Sequence, residues 1–168
     1  PASHWASRTM TDRNFRLWCS FAFGASNRTF FFCGDTGYPD FPLFRQIGDA
    51  LGPFDLAAIP IGAYKPTEMM KDAHVDPWEA VRIHKDLRSK QSVGIHWGTF
   101  ALSEEGMHDP PRDLQRAMMD EKQKAAKVGI YGVEPFISLK HGESIEVSPG
   151  ERILDDDVRE GNAAAGVQ

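Results

Sequence analysis

The chain has 168 residues, of which 41% are hydrophobic and 26% are charged, so it can form one globular domain with a real core. Its formal net charge of −5 argues against a nucleic-acid partner and against binding to anionic lipid by charge alone. The two cysteines, Cys19 and Cys33, lie in apolar stretches, which predicts reduced thiols in an intracellular protein.

The first part of the chain predicts a β-hairpin followed by a helix and a buried strand. Residues 15–23 and 28–33 are apolar and rich in β-forming residues, and a Gly-Ala-Ser-Asn segment separates them. A helix is expected from Asp40 to about Leu51, where Gly-Pro ends it. Residues 54–60 are predicted to form a short buried strand.

Helices and strands continue to alternate through the rest of the chain. Asp76 is expected to cap a helix whose first residue is Pro77, and Glu79 completes a capping box. The remaining predicted elements are a strand at 91–96, a helix from about 112 to 127, and short strands near 135–140 and 144–148.

This alternation indicates an α/β layered domain that covers residues 1–150. Residues 151–168 carry mainly Asp, Glu, Gly and Ala, and they have too few apolar side chains to join a core. We therefore expect a disordered tail after the domain.

Three residues that can bind metal lie at or just after the ends of probable strands: His4, Asp35 and His96. Ligands of α/β sheets bind beyond the carboxyl ends of the strands, and a charged group is costly there unless it is used. Gly34 and Gly37 would let the chain turn sharply and bring the Asp35 carboxylate into a crowded centre. Each residue also has an ordinary explanation, as a turn aspartate or as a histidine packed beside a tryptophan, so the residues alone leave both interpretations open.

The segment around Asp35 also resembles a known family. Phe-Phe-Cys-Gly-Asp-Thr-Gly-Tyr at 31–38 is similar to the stretch that carries the bridging aspartate in metallo-β-lactamase-fold hydrolases. The likeness is greatest to the branch of N-acyl-phosphatidylethanolamine phospholipases D, and it extends in order over most of the chain. The segments that carry it are 1–5, 31–38, 52–64, 74–77, 79–84, 95–102 and 140–144.

The resemblance implies the C-terminal half of an αββα sandwich with two zinc ions at one edge. His4 would bind one zinc, Asp35 would bridge both, and His96 would bind the other. His74 resembles a family histidine at the substrate phosphate, where it would act as an acid or orient the leaving oxygen. The family's first metal motif, His-x-His-x-Asp-His, is expected upstream of His4. With two protein ligands per zinc, these 168 residues alone are expected to be inactive.

The implied activity is zinc-dependent hydrolysis of N-acyl-phosphatidylethanolamine to N-acylethanolamine and phosphatidic acid. The implied partners are this lipid, the cytoplasmic face of a membrane as a peripheral binding surface, and a second copy in a homodimer. Two alternatives remain. One is another hydrolase of the same fold, such as a sugar-phosphate lactonase, and the other is a non-catalytic truncated protein that binds a partner.

Several neighbouring residues leave their roles open. The segment with Tyr64 and Met69 predicts either the wall of a lipid channel or a surface loop. His84 is expected to be a packed or hydrogen-bonded helix residue. His141 either braces the site from behind or simply ends a strand.

Overall fold

The computed structural model describes residues 4–6, 16–25, 27–130 and 132–147. The strands are β1 (His4–Ala6), β2 (Arg16–Trp18), β3 (Phe21–Ala25), β4 (Arg28–Phe32), β5 (Leu56–Pro60), β6 (Ser92–Ile95) and β7 (Phe136–Ser138). The helices are α1 (Leu43–Leu51), α2 (Thr67–Met70), α3 (Pro77–Asp86) and α4 (Asp109–Lys127).

The strands form two sheets. β1 and β2 make an antiparallel pair, and the five other strands make one sheet in the order β3-β4-β5-β6-β7. β3 and β4 are an antiparallel hairpin, whereas β4 to β7 run parallel. Parallel neighbours need crossover connections, and α1, α3 and α4 lie in those connections. The carboxyl ends of β4, β5 and β6 therefore meet at one edge of the sheet.

One face of the five-stranded sheet carries the core. Phe31, Ala57, Ser92 and Phe136 are register partners across β4 to β7, and each is at most 4% exposed. Side chains of the helices pack against this row and complete the buried cluster. Its members from α1, α3 and α4 are Phe44, Ala80, Val81, Ile83, Leu114, Ala117 and Met118.

The opposite face of the β-hairpin carries phenylalanines that the described residues leave uncovered. Phe21 is paired with Phe32, and Phe23 with Phe30. The rings of Phe21 and Phe23 stack at 6.0 Å, those of Phe23 and Phe30 at 5.9 Å, and Phe23 is 53% exposed. One half of a two-sheet sandwich has one face covered by helices and one uncovered apolar face, and this sheet has both. The predicted α/β class is confirmed.

The capping box of α3 forms as predicted. The Glu79 amide donates to Asp76 Oδ1 at 2.8 Å, and the Asp76 amide donates to Glu79 Oε2 at 3.2 Å. These bonds satisfy backbone donors that the first helical turn cannot satisfy itself, while Pro77 has no amide hydrogen to lose. The start of α3 is therefore well defined, immediately after the segment that holds His74.

Several predicted boundaries were wrong. The strand expected at 15–23 is divided into β2 and β3, because Ser20 turns its hydroxyl to the Cys33 carbonyl at 2.6 Å. Helix α1 begins at Leu43 instead of Asp40, since a residue that precedes proline, here Phe41 before Pro42, disfavours helical backbone.

Two other differences concern short segments. The predicted strand near 144–148 does not form over its described residues 144–147. The four-residue helix α2 lies in a segment that was expected to be a loop. The predicted disordered tail at 151–168 lies outside the described residues.

Both cysteines are free thiols, as predicted. Cys33 is fully buried, and this burial raises the pKa of its thiol far above the ordinary value. Over the part of the chain that the structure describes, none of the helices has the length and apolarity needed to cross a membrane.

Candidate metal centre

Asp35 lies just beyond the carboxyl end of β4. The Cys33 amide donates to the Ala58 carbonyl at 2.9 Å, so the strand keeps its pairing with β5 up to this point. Gly34 then adopts a φ of +68°, a left-handed conformation that glycine enters without the steric cost of a Cβ. This turn stops the strand and presents the Asp35 carboxylate at the edge of the sheet.

His96 follows the carboxyl end of β6 in a strained backbone conformation. Its φ is +60°, which is uncommon for a residue with a side chain and persists only where the surroundings enforce it. Gly62 is one such neighbour, because a Cβ at that position would lie 2.2 Å from the His96 carbonyl oxygen. The absence of a side chain at Gly62 therefore lets the chain after β5 pack directly against His96.

His74 comes from the connection between α2 and α3. Val75, the next residue, is fully buried, and the capped start of α3 follows directly. The segment before His74 touches the Asp35 turn through Gly37, where a Cβ would lie 2.4 Å from the Lys71 carbonyl oxygen. Gly37 thus allows the Asp35 turn and the His74 segment to approach each other closely.

Asp35, His74 and His96 converge at the edge of the sheet. One ligand-competent atom from each lies within 4.8 Å of those from the other two. His96 Nε2 is 3.4 Å from Asp35 Oδ1, and the rings of His74 and His96 stack with centroids 5.2 Å apart. Three separate connections of the chain therefore bring two imidazoles and one carboxylate to a single point.

The electrostatics couple these three groups. The contact with His96 lowers the pKa of the Asp35 carboxyl, and the same contact raises the pKa of the His96 imidazole. Burial lowers the pKa of His74, and the neighbouring His96 lowers it further. At neutral pH the arrangement favours an ionised carboxylate and a neutral His74, which are the states that metal binding requires.

The two histidines also retain unused ligand capacity. Nδ1 of His74 and Nδ1 of His96 are buried, and neither has a hydrogen-bond partner of normal geometry among the described residues. Buried polar atoms are rarely left unsatisfied unless a bound species supplies the missing partner. Imidazole nitrogens and a carboxylate are donors that suit zinc, so the residues present fit a metal ion.

Apolar side chains line one side of the centre. A shallow depression of about 30 Å³ beside His96 is lined by the segment from Trp97 to Met107. Within that segment Phe100 is 74% exposed and Leu102 is 64% exposed. Two exposed apolar side chains therefore lie beside His96, in a depression that Ser103 and Glu105 also line.

Trp97 and His141 pack against each other at the start of this segment. Their rings are 5.6 Å apart and tilted, and the Trp97 indole donates to the Gly94 carbonyl at 3.2 Å. The edge of the His141 ring also lies against Gly98. These contacts favour the interpretation that His141 braces the segment after His96.

The structure thus brings together three of the four residues that the sequence singled out. The fourth, His4, lies in β1 with its backbone paired to Trp18, but its side chain is outside the described residues. Tyr64, considered for a lipid channel, is buried and donates to Asp113 Oδ2 at 2.7 Å, whereas Met69 is 79% exposed. Sequence reasoning missed Glu105, whose carboxylate binds the backbone amides of Ala63 and Lys65 and which no motif marks.

Residues 1–97 of the chain match the family model described as the Beta-lactamase superfamily domain. This match covers more than half of the chain. The chain belongs to the β-lactamase superfamily. Its membership agrees with the layered α/β architecture and with a site at the carboxyl edge of the sheet.

Two curated proteins are similar to most of the chain. It is 43% identical over 148 residues to "N-acyl-phosphatidylethanolamine-hydrolyzing phospholipase D 1" of Caenorhabditis elegans, a match that covers 88% of this chain and 40% of that protein. It is 41% identical over 117 residues to the mitochondrial protein of the same activity name from Saccharomyces cerevisiae, covering 68% of this chain and 25% of that protein. The chain therefore spans less than half the length of these two relatives.

Proposed function

We propose that the full-length protein containing this chain is a zinc-dependent phosphodiesterase that hydrolyses N-acyl-phosphatidylethanolamine to N-acylethanolamine and phosphatidic acid. The observation that carries this proposal is the convergence of Asp35, His74 and His96 within 4.8 Å in a β-lactamase superfamily chain. The names of the nematode and yeast relatives support the choice of substrate.

In this proposal Asp35, His96 and His4 would hold the zinc ions, with the Asp35 carboxylate available to both. The assignment of His4 rests on the family resemblance, because its side chain is outside the described residues. When bound, a zinc pair supplies Lewis acidity, which makes water a better nucleophile and stabilises negative charge on phosphoryl oxygens.

His74 is proposed to contact the substrate phosphate. Its ring lies against that of His96, and burial keeps its pKa low, so at neutral pH it is an uncharged hydrogen-bond donor. As an uncharged donor, His74 would orient a phosphoryl oxygen and stabilise the negative charge that develops there as the phosphorus–oxygen bond breaks. To act as the acid for the leaving oxygen, the ring would first take up a proton from solvent, and the imidazolium would then return to the neutral state as the alcohol leaves.

The exposed apolar residues beside the centre support a lipid as substrate. Phe100 and Leu102 line the depression next to His96, and the exposed Met69 lies five residues before His74. Acyl chains are bound by adaptable apolar surfaces, whereas a soluble sugar phosphate requires polar contacts. Peripheral binding at the cytoplasmic face of a membrane and a homodimer belong to the same proposal.

The test compares substrates and variants in the full-length, zinc-loaded protein. N-Acyl-phosphatidylethanolamine in mixed micelles is expected to be hydrolysed with a far higher kcat/KM than a soluble phosphodiester or a lactone. Asp35→Asn and His96→Asn should abolish this turnover. Asp40 is an exposed aspartate in the loop before α1, and Asp40→Asn should preserve the turnover. Equal rates on the soluble substrates would reject the lipid assignment, and full turnover by Asp35→Asn would reject the site.

A further inference from the structure

Glu105 is a half-buried carboxylate that binds the loop of residues 61–65, which follows β5. Its Oε1 accepts a hydrogen bond from the Ala63 amide at 2.6 Å, and its Oε2 accepts one from the Lys65 amide at 3.0 Å. The Ser103 hydroxyl donates to Oε1 at 2.6 Å. One carboxylate thus holds two backbone amides of this loop, and charge-assisted bonds of this type are stronger than neutral ones.

The conformation of the 61–65 loop depends on such restraint. Ala63 has a φ of +63°, a left-handed conformation that costs free energy for a residue with a side chain. The Glu104 amide adds a bond to the Lys65 carbonyl at 3.2 Å, so the chain around Glu105 runs beside the loop. Two hydrogen bonds to one carboxylate compensate for the unfavourable backbone at Ala63.

The same loop contacts His96. Gly62, next to Ala63, packs so closely on the His96 carbonyl oxygen that a Cβ would lie 2.2 Å from it. The Gly62 carbonyl also faces the His96 imidazole. Any displacement of residues 62 and 63 would therefore move the ring that contacts Asp35.

We propose that Glu105 is a positioning residue of the metal centre, which fixes the 61–65 loop and through Gly62 fixes the imidazole of His96. This inference rests on the proposed metal site. It requires that loss of the Glu105 carboxylate weakens metal binding even when the protein remains folded.

The decisive comparison is between Glu105→Ala and Glu104→Ala in the full-length protein. Both variants remove one negative charge at adjacent positions, but Glu104 is exposed and its side chain forms no hydrogen bond or ion pair with a described residue. Zinc affinity is measured by competition with a chelator, at a temperature far below the thermal unfolding midpoint of each variant. Glu105→Ala should weaken zinc binding by about 10- to 100-fold, the usual cost of losing a residue that orients a ligand, and Glu104→Ala should leave it unchanged.

Glu105→Gln keeps the shape of the side chain, so it still tests the proposal if Glu105→Ala fails to fold. Its amide group would face a backbone N–H at Ala63 or Lys65, so one of the two bonds is lost and zinc affinity should fall by an intermediate factor. If both Glu105 variants bind zinc as tightly as Glu104→Ala, the proposal is overturned.

The zinc measurement separates this inference from the substrate assignment. If the protein binds zinc in a manner that depends on Asp35 and Glu105 but does not cleave the lipid, the proposed function fails and the role of Glu105 stands. If the lipid is cleaved and Glu105→Gln retains both the zinc affinity and the kcat of the unchanged protein, the inference fails and the proposed function stands.

Discussion

The imidazole rings of His74 and His96 stack with their centroids 5.2 Å apart, although they come from connections that follow different strands of the sheet. Nδ1 of each ring is buried without a hydrogen-bond partner of normal geometry in the described parts of the chain. Two neighbouring imidazoles beside the carboxylate of Asp35 favour occupation by a cation.

Zinc is therefore expected to stabilise the protein. A ligand that binds only the folded state at about 100 times its Kd adds about 2.7 kcal/mol to the free energy of unfolding. Asp35→Asn should lose most of this gain, since an amide is a much weaker zinc ligand than a carboxylate. Thermal unfolding with zinc and with a chelator measures the effect, and Asp40→Asn is the matched control. A zinc-induced shift of equal size in both variants would contradict the assignment of Asp35.

Acid should destabilise the protein through His84. This imidazole is 2% exposed, bonded to Ser92 Oγ at 2.7 Å, and its burial lowers the pKa from 6.5 to about 4. Between pH 6.5 and 4 the His84 imidazole takes up a proton in the unfolded chain but not in the folded chain. The free energy of unfolding therefore falls as the pH falls across this range, and the loss stops below pH 4. The full loss is about 3 kcal/mol.

Chemical denaturation at a series of pH values tests this prediction. His84→Asn should be less stable at neutral pH but should show a shallower decrease in the free energy of unfolding between pH 6.5 and 4. His108→Asn makes the same substitution at an exposed position and should keep the original slope. Equal slopes for the two variants would show that other groups cause the acid sensitivity.

Gly37→Ala should disturb the approach of the Asp35 turn to the segment before His74. The new methyl group would meet the Lys71 carbonyl oxygen at 2.4 Å, and overpacking of this kind costs about 1–3 kcal/mol. Gly24→Ala is the comparison, because a Cβ there meets nothing within 4 Å. Urea unfolding should separate the two variants clearly, and zinc affinity should fall only in Gly37→Ala. A Gly37→Ala variant as stable as Gly24→Ala would mean that the two segments separate freely.

The capping box at the start of α3 should contribute measurably to stability. Asp76→Ala removes the acceptor of the Glu79 amide bond at 2.8 Å and should cost about 1 kcal/mol. Asp72→Ala, at an exposed position four residues earlier, should change the free energy of unfolding little. Equilibrium denaturation of both variants at neutral pH makes the comparison. No difference between them would indicate that the packing of Val75 and Pro77 alone defines the helix start.

Local patterns predicted much of the fold correctly. The capping box of α3, the buried strand β5 and the hairpin of β3 and β4 depend on residues close together in sequence, where turn and cap preferences decide. The boundaries that failed depend on contacts between distant segments. Ser20, for example, interrupts the first predicted strand by donating to Cys33, thirteen residues away.

The family resemblance identified Asp35, His96 and His74, and the sequence by itself determined which residue types stand at the ends of β4 and β6. Only the tertiary structure decided that they meet within 4.8 Å, and that Glu105 holds the loop beside His96. The physical reason is that residues close together in sequence determine local helix, strand and turn preferences, and each side chain carries its own chemistry. Convergence instead requires parallel strands to be paired in register and glycines such as Gly62 and Gly37 to let backbones touch, and these contacts exist only in the folded chain.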